Sequence, residues 1–219
     1  MMTWNAREVT TVSMIDTVLF DVGGVLTFDP WETMVLTPTQ GLADRLRIPR
    51  PTAEAAGVRL WPRFSLRSAS EADYWRQFSA LVNRDVEMDI VASVRKLIVA
   101  NPCTAEALAI VQSRTMRWGV ISDNTAFWFP QQLALLGISI EDDALTLLSY
   151  EQGRSKSSEG IGLFELAAEK TVPRRTLVID DRDHNLRRAQ AVGFATARYS
   201  FYDDPDGRGL LELVKNSTE

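Results

Sequence analysis

The 219-residue chain has a single cysteine and a single histidine. One thiol excludes an internal disulfide and fits a reducing compartment. Cys103 follows Pro102 with no histidine near it in sequence, so it reads as structural filler rather than a nucleophile. Positive charge is in deficit, 24 Lys and Arg against 29 Asp and Glu, for a net charge of -5. That balance argues against nucleic acid or an anionic membrane as partner. No apolar run approaches the ~18 residues that a membrane span needs. Internal repeats and low-complexity tracts are also missing. The opening stretch "MMTWNAREVTTVS", residues 1–13, lacks the apolar core of a signal peptide and is expected to be a disordered leader. A soluble, cytoplasmic protein is the expectation.

What remains is ordinary globular material. A content of 45% hydrophobic residues over this length suffices for an α/β domain with an inserted subdomain, without staples. Four short apolar runs read as strands buried on both faces: "TVLF" (17–20), "WGVIS" (118–122), "LTLLS" (145–149) and "TLVID" (176–180). Helical patterns fall between them at 104–116, 130–136, 158–170 and 185–191. Gly137 and Gly193 close two of these, and Ile161, Phe164, Leu166 and Ala168 mark the inward face of a third. Alternating strands and helices predict a Rossmann-like, doubly wound parallel sheet. Residues 31–101 have no strand pattern. There "SEADYWRQFSALV", with Ser70 as N-cap, and "DIVASVRKLIV" read as amphipathic helices. The expected organisation is thus an α/β core from 14–30 and 102–219, with a helical insertion at 31–101.

The strand ends carry the chemistry. Asp21 ends the first strand, Ser122 the second and the doublet Asp180–Asp181 the last, while Lys156 follows the third by seven residues. Ligands of open α/β sheets bind outside the carboxyl ends of the strands, so Asp21, Ser122, Lys156 and Asp181 are expected in one pocket. Crowded carboxylates call for a divalent cation, and oxygen-only ligands select Mg²⁺. Beside that cation Asp21 can act as a carboxylate nucleophile. Backbone N–H groups at Gly23 and Gly24 would help to hold a phosphate.

In this order the residues resemble the haloacid dehalogenase-like (HAD) superfamily, over residues ~15–200. "LFDVGGVL" resembles the first motif, "GVISDN" the second, "SYEQGRSK" the third and "VIDDRDHN" the fourth. The resemblance implies a hydrolase with a helical cap of the first type, formed by the insertion. It assigns Asp21 as nucleophile, Ser122 and Lys156 as phosphate-binding catalytic residues, and Gly23, Gly24, Asn124 and Lys156 to substrate binding. The implied metal site comprises Asp21, the Gly23 carbonyl and Asp181, with Asp180 as a second acid behind them and Asn185 orienting the lysine.

The departures are Ser157–Ser158 in place of the family's Pro-Asp, Asp123 inserted before Asn124, and above all Gly23. Family phosphatases have an acid at that last position, which protonates the leaving group and then activates water. Losing it costs typically ~10²–10⁴-fold. His184 is a possible stand-in, and Arg63 or Arg67 of the insertion could bind an anion, although surface positions are favoured for all three. Tyr74 and Trp75 could wall the pocket, with core packing favoured. The leading expectation is a Mg²⁺-dependent phosphohydrolase acting on a small phosphorylated metabolite, as monomer or homodimer. The alternatives are a catalytically impaired phosphate- or ligand-binding homologue, and a metal-independent haloacid dehalogenase, whose chemistry needs no proton donor.

Overall fold

The structure, a computed structural model, describes residues 14–140 and 145–217; the expected leader lies outside them. Strand β1 (Thr17–Phe20) is buried at all four positions. It leads into the helices α1 (Pro30–Leu36), α2 (Leu42–Arg45), α3 (Arg50–Ser65), α4 (Glu71–Val82) and α5 (Met88–Arg95). The chain then alternates: α6 (Thr104–Ser113), β2 (Arg117–Ser122), α7 (Trp128–Leu136), β3 (Leu145–Leu148), the single turn α8 (Ser149–Gln152) and α9 (Leu163–Lys170). It closes with β4 (Thr176–Asp180), α10 (Asp183–Val192), β5 (Ala195–Arg198) and α11 (Arg208–Ser217). The five strands form one parallel sheet in the order β3-β2-β1-β4-β5.

The period of two along β1 decides what each face meets. Val18 and Phe20 pack with Leu108 and Val111 of α6 and with Leu210 and Val214 of α11. Leu19 faces the other way, with Ile121 and Val178, onto Phe164 and Ala167 of α9 and Ala189 of α10. With β1 central, its carboxyl end opens between its neighbours, where the site lies.

Three elements differ from the sequence reading. β5 was not expected, because "ATAR" is an edge strand of half-buried and exposed residues with no apolar run. α11 was not expected either, although Leu210, Leu211 and Val214 give it an apolar stripe. The helix expected at 158–170 begins only at Leu163. Gly160 takes a positive φ of 70°, and Gly162 starts the helix with its N–H bonded to Glu165 Oε2 at 2.8 Å. Ile161 therefore sits in the preceding loop, 48% exposed, instead of facing inward.

Helices α1 to α5 build their own core around Met34, Phe64, Tyr74, Trp75 and Phe78, and Trp128 of α7 enters it from the sheet side. Ser70 caps α4 through Asp73 N–H. Gly57 lets α3 close on α1, since any side chain there would run into the ring of Trp31. Arg182 Nη2 and Glu32 Oε1, 2.7 Å apart, tie the loop after β4 to α1.

Candidate active site

Asp21 still belongs to the sheet by its backbone, its N–H bonding the Ile179 carbonyl at 2.9 Å. Its side chain is buried, with Oδ1 accepting from Val22 N–H at 2.7 Å and Oδ2 2.8 Å from Lys156 Nζ. Lys156, 1% exposed, also reaches Asp180 Oδ2 at 2.7 Å. Burial by itself would lower the lysine, but Asp180, Asp21 and Asp123 outweigh it and hold the ammonium form. Burial raises Asp21 to about 7, against the opposing pull of Lys156. Asp180 is held below the usual carboxylate range: burial opposes this, and Lys156 and its hydrogen bonds prevail.

Asp180 takes hydrogen bonds from Arg182 N–H, Asn185 Nδ2 and Lys156 Nζ. Both of its oxygens are thus engaged, and Asn185 reaches Lys156 only through it. Asp181 is the opposite case. Its Oδ1 is buried with no hydrogen-bond partner, the nearest cation, Arg182 Nε, being 3.9 Å away. Burial raises its pKa. Asp21, Asp180 and Asp181 each bring a carboxylate oxygen within 4.8 Å of the others.

The turn after Asp21 explains both glycines. Val22 O accepts from Leu26 and Thr27 N–H, and Gly24 N–H bonds Thr27 O at 2.7 Å. Gly24 has φ 79°, and a Cβ there would stand 2.6 Å from Asp181 Oδ2. It is needed for the turn and the close approach, but its N–H is already used and is not free for the phosphate contact expected of it. The pairing of Gly23 with Thr27 runs through the neighbouring residues. Its own N–H and carbonyl carry no hydrogen bond among the described residues, and Gly23 lines the cavity.

That cavity, about 1280 Å³, lies between the strand ends and the helical insertion. Asp21, Gly23, Asp29, Asp123, Lys156 and Arg182 form its polar end; Trp31, Leu36, Trp61 and Trp128 belong to its apolar wall. Ser122 ends β2 at 1% exposure, next to the lining rather than in it, and its hydroxyl has no partner among the described residues. Asn124 lines the cavity, but its Nδ2 donates to Gln132 Oε1 at 2.8 Å and its Oδ1 accepts from Thr125 N–H. Its side chain is largely committed to the fold. His184 lines the rim and is exposed. Arg63 and Arg67 are exposed and do not line the cavity, and Arg63 donates to Gln77 instead. Tyr74 and Trp75 are buried in the core of the insertion.

The sequence reading missed two carboxylates. Asp123 Oδ1 accepts from Lys156 N–H at 2.9 Å, and burial raises its pKa. Asp29 caps α1, its Oδ1 accepting from Glu32 N–H at 2.8 Å, with Pro30 as the first helical residue. Asp29 N–H donates to the Tyr202 hydroxyl at 2.8 Å, and the Tyr202 ring stacks on Phe28. Burial, then Glu32, push Asp29 up to about 6. The Asp-Pro-x-Glu signal announces a helix start, but not what the second oxygen faces.

A parallel sheet with an acidic cluster at the carboxyl end of its central strand and a helical insertion after that strand defines a Rossmann-like α/β architecture. Solved structures place it more closely. A protein from Porphyromonas gingivalis described as a predicted HAD-like family hydrolase is 21% identical, with TM-score 0.60 over 85% of this chain and 92% of its own. A HAD family enzyme from Bacteroides thetaiotaomicron, in complex with magnesium and inorganic phosphate, is 19% identical, with TM-score 0.60 over 84% and 93%. An L-2-haloacid dehalogenase from Xanthobacter autotrophicus is 19% identical, with TM-score 0.55 over 84% and 77%. No protein-family model matches the chain, nor does any curated protein sequence. The chain has the HAD-like fold. No helix among the described residues is long and apolar enough to cross a membrane.

Proposed function

We propose that the protein is a Mg²⁺-dependent phosphohydrolase working through an aspartyl-phosphate on Asp21. One observation carries the reading: Asp21 is held 2.8 Å from the buried Lys156 Nζ, beside an Asp181 oxygen that is buried without a donor. An acceptor of that kind fits a cation, and Asp21, the Gly23 carbonyl and Asp181 form an all-oxygen donor set suited to Mg²⁺. Bound there, the ion would offset charge on the phosphoryl oxygens.

An oxygen of Asp21 attacks phosphorus, the bond to the leaving oxygen breaks, and its electron pair departs with that oxygen. Lys156 binds a phosphoryl oxygen, and Ser122 Oγ–H and Gly23 N–H are further donors for the charge. Water then attacks the acyl phosphate, releasing phosphate and regenerating Asp21. The helical insertion serves as a cap that excludes bulk water. Its tryptophan-rich wall suits a small phosphorylated metabolite with an apolar or flat remainder. The same reading takes the protein as cytoplasmic, in keeping with its single cysteine, and as monomer or homodimer.

Gly23 favours a second reading, a binding protein that has given up turnover. A dehalogenase would have no use for the unpartnered Asp181 oxygen beside Asp21. The test is phosphate release with and without Mg²⁺ over acyl, sugar-1- and alkyl phosphates, with Asp21→Asn as control. Metal-dependent release abolished in Asp21→Asn supports the hydrolase. Mg²⁺ and phosphate binding without release supports the binding protein.

A further inference from the structure

An ideal Cβ built on Gly23 would stand 3.0 Å from Asp29 Oδ2. The space a side chain at 23 would enter is therefore already occupied, and by a carboxylate. Asp29 reaches it from the N-terminus of α1, six residues further along the chain, with its two oxygens divided between tasks. Oδ1 accepts the Glu32 N–H of the helix cap. Oδ2 has no hydrogen-bond partner among the described residues and faces Gly23 at the wall of the cavity that holds Asp21 and Lys156.

Other groups near the pocket fit less well. Asp180 has both oxygens engaged by Lys156, Asn185 and Arg182 N–H. Asp123 is tied to Lys156 N–H, and His184 stands exposed at the rim. Asp29 itself is held on both sides, by its cap bond and by the Tyr202 hydroxyl on its N–H. Such a carboxyl keeps its direction without a ligand, which proton transfer at a fixed atom requires.

We propose that Asp29 is the catalytic acid and base that position 23 lacks, supplied from the first helix of the insertion. The assignment rests on the phosphohydrolase reading and completes its proton balance. As Asp21 attacks phosphorus and the leaving P–O bond breaks, the leaving oxygen takes its proton from the Asp29 carboxyl. In the second half the Asp29 carboxylate removes a proton from water, whose oxygen attacks phosphorus. The P–O bond to Asp21 then breaks, phosphate leaves, and Asp29 is again protonated. Gly23 is then the space that admits this carboxylate, and its loss of a side chain does not signal lost turnover.

The experiment compares the wild type with Asp29→Asn and with the double variant Gly23→Asp/Asp29→Ser. Asparagine and serine both still cap a helix, so α1 is retained. Nitrophenyl phosphate, whose leaving group needs no proton, and a simple alkyl phosphate serve as substrates in rapid-quench kinetics, with Mg²⁺ affinity measured by calorimetry. Asp29→Asn is expected to lower alkyl phosphate turnover ~10²–10⁴-fold. It keeps a stoichiometric burst of nitrophenolate, accumulates the phosphoenzyme and leaves Mg²⁺ affinity unchanged. The double variant, with the acid moved to 23, recovers alkyl phosphate turnover.

Wild-type turnover of the alkyl phosphate by Asp29→Asn overturns the assignment while leaving the hydrolase standing. Loss of the burst together with Mg²⁺ affinity overturns it in favour of a structural role. A wild type that releases no phosphate, or whose release survives Asp21→Asn, fells the phosphohydrolase reading and this assignment with it.

Discussion

Gly24 and Asp181 stand so close that a Cβ on the glycine would lie 2.6 Å from the aspartate's Oδ2. The glycine also has φ 79°, where an L side chain is strained. Gly24→Ala is therefore expected to cost about 1–3 kcal/mol of stability and to push Asp181 off its position. Mg²⁺ affinity should fall at least tenfold, read by calorimetry on the folded variant. Unchanged affinity would mean that Asp181 is not a ligand.

Lys156 is the only cation facing both Asp21 and Asp180 in hydrogen-bonding reach among the described residues. Lys156→Met leaves Asp180, fully buried, with a charge and no counter-ion. Breaking a buried pair from one side costs about 3–5 kcal/mol. Urea unfolding should show that loss, and Lys156→Met/Asp180→Asn should recover part of it, because no uncompensated charge remains.

Burial raises Asp21 from 3.8 to about 7 in the metal-free protein. Its folded form therefore holds a proton that the unfolded chain releases, and its contribution to stability is full below about pH 4 and lost as pH rises through about 7. Thermal unfolding without metal should show wild type losing stability over that window relative to Asp21→Asn, which does not titrate there. In the same window Mg²⁺ affinity of the wild type should rise with pH, since the cation competes with the proton. Parallel stability curves for the two proteins would exclude the raised pKa.

Gly57 admits the ring of Trp31 between α3 and α1. Gly57→Ala forces that ring aside, an overpacking worth about 1–3 kcal/mol. Since Asp29 caps α1, turnover should drop as well, while phosphate affinity, which depends on the strand ends, stays within a few-fold. Equal losses in both would place the damage in the core instead.

Strands β1 to β4 were legible because each is a short apolar run, largely buried, and turn residues mark where each stops. The polar residue at each end was legible for the same reason. Asp21 and Asp180 stand where an apolar run terminates, and a parallel sheet brings such ends together however distant in sequence. β5 carried no such signal: its residues "ATAR" are half-buried or exposed and form no apolar run, unlike those of the other edge strand, β3. The role of Ile161 was misread because a helical period does not say at which residue the helix begins; the positive φ of Gly160 decides that.

Sequence by itself therefore determined the parallel sheet and the acidic cluster at its carboxyl edge, since both follow from short-range pattern and chain order. Tertiary structure alone decided how those carboxylates divide their work. Lys156 and Asn185 saturate Asp180, while Asp181 keeps an oxygen without a donor. It also decided what stands beside Gly23. Asp29 reads locally as the cap of α1, and only the packing of that helix against the turn after β1 brings its free oxygen into the space the glycine leaves. Hydrogen-bond saturation and close approach are properties of three-dimensional neighbours, and no spacing along the chain encodes them.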